Sequence, residues 1–330
     1  MLCKNISIFL SIILILVSLS GCTGNVQTNE TVQELNSLED GNSIKENREE
    51  SKIINKEDVI NKLCSDDFKG RLVGSEENEL IGEYLSDLFK QIGLVSVFGE
   101  NYKHKYTQEI YKTYGLISDD DCGELKNVDN IIGKIEGNSN NAVIVSAHFD
   151  HIGIQNGKII KGAIDNASGV SVLLDLAETL RNKYSSDKPD FDIIFCAFNG
   201  EETGLEGSRN FIKDINGQYN NLININIDSV GYKNEGAITF LDKNKDKSLY
   251  KPMKETLESN GLEVKLNTGL KGTADSVEFD RAGIRAVCII DEHVKDVIHT
   301  ENDVPALTNY DRLDKIVKSI DDFISSFTFN

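Results

Sequence analysis

Five strongly apolar runs in this 330-residue chain lead straight into histidine or carboxylate: AVIVSAHFDH, KGAIDNASGV, FDIIFCAFNGEETG, LININIDSVG and KDVIHTENDV. Strands that pass from a buried apolar run to a polar end are the framework on which an open α/β sheet builds a site, because ligands bind beyond the carboxyl ends of its strands. In chain order the junctions deliver His148, Asp165, Glu202, Asp228 and His299, with further carboxylates at Asp150 and Glu201. Such a mixed set of imidazoles and carboxylates is sufficient to hold two divalent metals, which points to metal-assisted hydrolysis.

The segments between the junctions alternate in type. Apolar runs predict strands at 142–147, 191–198, 222–228, 237–241 and 286–290, and amphipathic spacing predicts helices at 168–182, 205–212, 251–259, 275–282 and 310–327. Upstream, DVINKLCSDDF and ELIGEYLSDLFKQIGL carry apolar residues at three- and four-residue steps, so two helices flank the loop Gly70-Arg71-Leu72-Val73-Gly74-Ser75, and Gly93 ends the second. KYTQEIY and NIIGKIEG follow as short strands. Near-continuous Val/Ile/Leu strands imply burial on both sides. The expected fold is therefore α/β in three layers, a single globular domain over 55–330 with a mostly parallel central sheet covered by helices on both faces.

The first 54 residues differ in kind. Lys4 precedes an apolar stretch from Ile6 to Leu19, too short to span a bilayer comfortably, and Leu19-Ser20-Gly21-Cys22 follows. That ending resembles the lipobox of bacterial lipoproteins. The resemblance implies a signal peptide at 1–21, Cys22 as a lipidated N-terminus, and attachment to the extracytoplasmic face of the cell membrane; the alternatives are an ordinary secretory signal or an uncleaved anchor. Residues 22–54, rich in Asn, Glu, Ser and Lys, read as a flexible tether. A formal net charge of -19 argues against nucleic acid as a partner. With Cys3 removed and Cys22 lipidated, Cys196 and Cys288 sit in apolar runs as core residues, and Cys64 and Cys122 are the pair left to consider for a disulfide. No cysteine spacing suits a metal.

Taken singly, each junction has an ordinary explanation. His148 and Asp150 stand two apart on an extended chain, so the carboxylate can orient the imidazole, while His151 points away from that pair and reads as a cleft wall instead of a ligand. Asp165 precedes a helix, where an acid commonly caps, but it can also bridge two metals, with Asn166 or Ser168 starting the helix. Glu201 and Glu202 repel each other unless a cation intervenes; Glu202 is assigned as ligand and Glu201 as general base. Asp303, four residues after His299 in HTEND, can orient that histidine or cap the last helix region, and the loop-stabilising role is favoured.

Together, HxD, D-N-x-x-G, E-E-x-G, the strand-end Asp-Ser and the late His-Thr-x-x-D resemble the M28 family of zinc peptidases, in order through 55–327. The resemblance implies a zinc-exopeptidase-like fold and a centre of two Zn2+ per chain, with Co2+ or Mn2+ as substitutes. Carried over, His148 and Asp228 hold one zinc, Glu202 and His299 the other, Asp165 bridges, and Glu201 is the catalytic base with Asp150 beside it. Residues 274–284 resemble the family's loop and helix before the last core strand, although Ser276 stands where the family often has His. No aromatic hydroxyl for an oxyanion is evident in NTGLKGTA. The interval from Asp228 to His299 leaves no room for the lid domain that M20-type peptidases insert.

The function expected is an aminopeptidase acting on peptides. A carboxypeptidase needs a cationic clamp, and no arginine cluster adjoins these motifs; a glutaminyl cyclase is expected to use one zinc. An inactive peptide-binding lipoprotein would lose ligands or base, and every assigned group is present. A transporter's substrate-binding lipoprotein would share the anchor but would not need these strand-end groups. Oligomeric state leaves no mark on the sequence.

Overall fold

The computed structural model describes residues 52–111, 123–234, 236–241, 246–266, 270 and 272–329. The expected signal peptide, Cys22, nearly all of the tether and Cys122 lie outside these residues.

Local signals set the helix limits. The Asn55 side chain accepts the Glu57 and Asp58 N–H groups to start α1 (Lys56–Leu63). Ser75 caps α2 (Glu76–Ile92), and Gly93, at φ 82°, ends it. Two antiparallel partners of one long strand follow: β1 (Val95–Ser96) and β2 (Lys103–Ile110) both pair with β3 (Glu124–Ile135). The chain continues through β4 (Asn141–His148), a small hairpin of β5 (Ile154–Gln155) and β6 (Lys158–Ile159), α3 (Ser168–Lys183), β7 (Asp192–Phe198), α4 (Glu206–Ile215) and β8 (Asn221–Ile227). It closes with β9 (Ile238–Phe240), α5 (Tyr250–Ser259), α6 (Ser276–Arg281), β10 (Arg285–Asp291) and α7 (Tyr310–Ser326).

The main sheet has the order β1-β3-β7-β4-β8-β10-β9, with β2 also on β3. Its centre, β7-β4-β8-β10, is parallel, whereas β3 and β9 run antiparallel to their neighbours. Side chains alternate across it: Val143, Val145, Ile193, Phe195, Ile223 and Ile225 join the larger core under α1, α2, α3, α5 and α7. Ala142, Ile144, Ile194, Cys196 and Phe198 join the other, with Phe211 of α4 and Phe279 of α6. Both faces are therefore dry, which is why these strands read as continuous apolar runs.

From β4 the chain moves to β7 on one side and then, through α4, to β8 on the other. This reversal opens a crevice at the C-terminal end of β4, where His148 lies. At the opposite limit of the domain, Ile53 and Ile54 N–H groups donate to Glu178 on α3 at 2.6 and 2.9 Å, and Lys56 pairs with Asp175. The folded part thus takes in residues read from composition as tether, because Glu178 supplies acceptors that composition does not reveal. Cys64, Cys196 and Cys288 are free and buried, and burial pushes all three thiols up, Cys64 to about 12. None of the described helices is long and apolar enough to cross a membrane.

Candidate metal centre

The five residues converge, three of them from the ends of β4, β7 and β8, whereas Asp165 comes from the segment before α3 and His299 from a turn beyond β10, since the apolar runs before these two are not strands. His148 Nε2 lies 3.2 Å from Asp165 Oδ1 and 3.6 Å from Asp228 Oδ1. His299 Nε2 lies 3.1 Å from Asp165 Oδ2 and 3.0 Å from Glu202 Oε2. Two donor groups result, His148 with Asp165 and Asp228, and His299 with Asp165, Glu202 and His151, each with its atoms within 4.8 Å. Asp165 belongs to both through different oxygens. His151 faces Glu202 at 2.8 Å instead of forming a remote wall. The alternation that would direct it away ends with β4 at His148, and the His151 N–H is turned back to the Arg71 carbonyl.

Asn166 ties two of the junctions together. Its Oδ1 accepts the N–H groups of Gly169 and Ser229, and its Nδ2 donates to Ile227 O, so Asp165 and Asp228 are fixed through one amide. This explains the D-N-x-x-G spacing: a Cβ on Gly169 would stand 2.2 Å from Asn166 Oδ1 and 2.7 Å from Ile227 O. On the other flank of Asp165, the Asp303 carboxylate accepts the N–H groups of Ile164 and Asp165 at 2.7 and 3.1 Å. Asp303 is thus a loop stabiliser, though of a loop distant in sequence.

Asp150 acts differently from the simple orienting role read from HxD. The His148 ring Nδ1 faces the main-chain oxygen of Asp150 at 3.2 Å and its Oδ1 at 3.8 Å. The Asp150 carboxylate instead accepts the N–H groups of Glu201 and Glu202 at 3.1 and 3.3 Å, holding the glutamate pair against the end of β4. The strand has already ended, so the two side chains no longer share one face as they would on an extended chain.

Arg71, read only as part of a glycine-flanked loop, is fully buried. Its guanidinium donates to the carbonyls of Phe149, Lys161, Gly162 and Asp165, with a longer contact to Leu63. One side chain therefore clamps the turn that follows His148 to the loop that carries Asp165. Gly162 sits inside this clamp at φ 59°, and a Cβ there would meet the His151 ring at 2.5 Å. The signal for Arg71 was a cation between two glycines, which does not by itself predict carbonyl partners.

Carboxylates dominate the electrostatics of the cluster. Burial works against a charged His148, yet Glu201, Asp165 and Asp228 hold its imidazole well above the usual range. Burial likewise opposes charge on His299, but Asp165 and Glu202 raise it to about 10. Asp165 is held well below the carboxylate range by the two histidines, against burial. Burial pushes Glu201 well up, with Glu202 and Asp228 adding repulsion, and lifts Asp150 to about 6 and Asp275 to about 7. Without metal, protons on imidazole carry the positive charge that this carboxylate cluster demands.

These groups line a cavity of about 350 Å³. Its lining combines His148, Asp165, Glu201, Glu202, Asp228 and His299 with the apolar side chains of Leu205, Leu241, Leu270, Ile290, Val294 and Ile298. Lys295 also lines the cavity and is its only lysine or arginine among the described residues. It opens the last of the five apolar runs, KDVIHTENDV, and stands in a short turn after β10.

The sequence profile of Peptidase family M28 matches residues 130–324, and the chain belongs to that family. It is accordingly a peptide hydrolase. Among its relatives, the alkaline phosphatase isozyme conversion protein of Escherichia coli K12 is 27% identical over 253 residues, covering 67% of this chain and 68% of that protein. Aminopeptidase YwaD of Bacillus subtilis 168 is 31% identical over 172 residues, 49% of this chain and 35% of that protein. The fold is also that of BSAP, a zinc aminopeptidase from Bacillus subtilis, at a TM-score of 0.63 and 16% identity over 82% of this chain and 93% of that one. Bacteroides thetaiotaomicron glutaminyl cyclase gives 0.62 and 19%, over 83% and 97%.

Proposed function

We propose that this protein is a dizinc aminopeptidase, anchored by lipid at Cys22 to the outer face of the cell membrane, that removes N-terminal residues from peptides. The observation that carries the reading is the pair of donor groups sharing Asp165, with Glu201 lining the same cavity. Relatives named as aminopeptidases support the polarity, and the lipobox-like Leu19-Ser20-Gly21-Cys22 supports the location.

The donor chemistry fits zinc: imidazole and carboxylate, in two groups, around carboxylates that already draw protons onto the histidines. His148 and Asp228 would hold one ion, Glu202 and His299 the other, and Asp165 both. Bound there, zinc supplies Lewis acidity for carbonyl polarisation and for acidifying water. Glu201 takes the proton of the attacking water and passes it to the departing amine. Asp150 keeps Glu201 in place through its main chain, and the His148–Asp150 main-chain contact fixes which ring nitrogen faces the ions. A glutaminyl cyclase shares the fold, but a one-zinc enzyme that used Asp165 with Glu202 and His299 would have no use for the second donor group that His148 and Asp228 form with Asp165.

The test uses protein lacking residues 1–22, loaded with zinc and assayed on aminoacyl amides and on N-blocked peptides with free carboxyl ends. Cleavage of the first set alone is the expected result; cleavage of the second set alone would reverse the assigned polarity. For the location, wild-type protein should fractionate with membranes and Cys22→Ser should not.

A further inference from the structure

The cavity's lining carries a charge that the catalytic chemistry leaves unused. Lys295 stands in the turn Val294–Asp296, fastened by buried Val294 and Val297 on either side. It is exposed and makes no ion pair or hydrogen bond with the described residues. The apolar part of the lining is one unit: Leu241, Leu270, Ile290 and Ile298 belong to, or pack against, one small core cluster. The same cavity is lined by four carboxylates, Asp165, Glu201, Glu202 and Asp228. On the two-zinc reading, which this inference rests on, two divalent ions offset those four charges and Lys295 leaves the cavity with an unmatched positive charge. That charge lets the cavity discriminate between ligands by their sign, with the modest strength of an exposed ammonium.

We propose that Lys295 is a specificity residue that binds a carboxylate of the substrate, so that the preferred substrates are short peptides carrying an anionic group within reach of the centre. Two sources supply that chemistry: an acidic side chain on the cleaved residue, and the free chain end of a dipeptide. Either pairs with the ammonium through a charge-assisted hydrogen bond. The same charge disfavours lysine or arginine as the cleaved residue.

The test compares matched acid and neutral probes on zinc-loaded full-length protein in detergent: Leu-Gly against Leu-Gly-amide for the chain end, and Glu- against Gln-p-nitroanilide for the side chain. We expect kcat/KM to favour the acid by about fivefold or more in at least one pair, a range typical of a partly exposed charge pair with tenfold per 1.4 kcal/mol. The preferred pair identifies the source. In Lys295→Gln that ratio falls toward one, and Lys295→Arg restores much of it. Binding without turnover is read by calorimetry on the Glu201→Gln protein, where Leu-Gly should bind more tightly than its amide only while Lys295 is present. Equal ratios in wild type and Lys295→Gln, together with equal binding of acid and amide, would overturn the proposal. Hydrolysis of N-acetyl-Gly-Leu that depends on Lys295, with no cleavage of Leu-Gly-amide, would uphold carboxylate recognition while removing the aminopeptidase reading.

Discussion

The polar and apolar parts of the cavity lining are built on opposite principles. In the polar part nearly every group is held from behind: Asp165 by Asn166, Asp303 and Arg71, Glu201 and Glu202 by Asp150, and Glu202 again by His151. The apolar part of the lining comes from the end of β10, the turn after it and Leu241 beyond β9, with Lys295 exposed beside it. The difference teaches where tolerance lies. Catalytic geometry depends on fixed positions and fails with small displacements, whereas an apolar wall can change residue and retune which substrate fits at modest cost.

The largest effect that would break this contrast is chemical. Glu201→Gln should lower kcat by about 10²–10⁴-fold, the range for a lost general base, while zinc content measured by atomic emission stays at the wild-type level. Full activity in that variant would remove Glu201 from the mechanism. Next comes the brace itself. Arg71→Met leaves its carbonyl partners without a donor in the protein interior and should cost about 3–5 kcal/mol by urea unfolding. A loss under about 1 kcal/mol would mean the clamp is idle.

The polar part of the lining was largely legible in the sequence because His148, Glu202 and Asp228 follow strands of the parallel sheet, whose ends meet in a crevice where the connections reverse, while Asp165 and His299 follow short apolar runs that are loop and turn. His148, Asp165, Glu202, Asp228 and His299 could therefore be placed together before any coordinate was known. Its supports were less legible. Arg71 and Asp303 act on backbone groups about 80 to 140 positions away, and a partner that is a carbonyl or an N–H leaves no side-chain pattern to find. His151 was misdirected by extending strand alternation one turn past the strand's end. The antiparallel edges, β2-β3 on one side and β9 on the other, were also hidden, since direction is not written in apolar periodicity. Lys295 escaped because a specificity residue has no motif.

A third prediction concerns pH. The His299 imidazole is raised from 6.5 to about 10, so its contribution to metal-free stability is complete below about pH 6.5 and is lost as pH rises through about 10. Asp165 is depressed, so its contribution is lost as pH falls through its lowered range. EDTA-treated protein should therefore melt at progressively lower temperature between pH 6.5 and 10, and zinc should flatten that decline because the ions replace the protons. A decline unchanged by zinc would detach His299 from the metal site. The smallest effect belongs to the apolar part of the lining: Leu241→Ala should leave zinc content intact and change selectivity among first residues by about tenfold or less, as methylene-scale changes in apolar pockets do. Loss of zinc in that variant would erase the distinction between the two parts.

The claim on which the rest depends is that Asp165 joins two metal sites into one centre. Equilibrium dialysis of the metal-free protein against zinc, counted per chain, tests it directly. Two ions per chain in wild type, falling below one in Asp165→Asn, is the predicted result; a single ion in wild type, unchanged by Asp165→Asn, would contradict it.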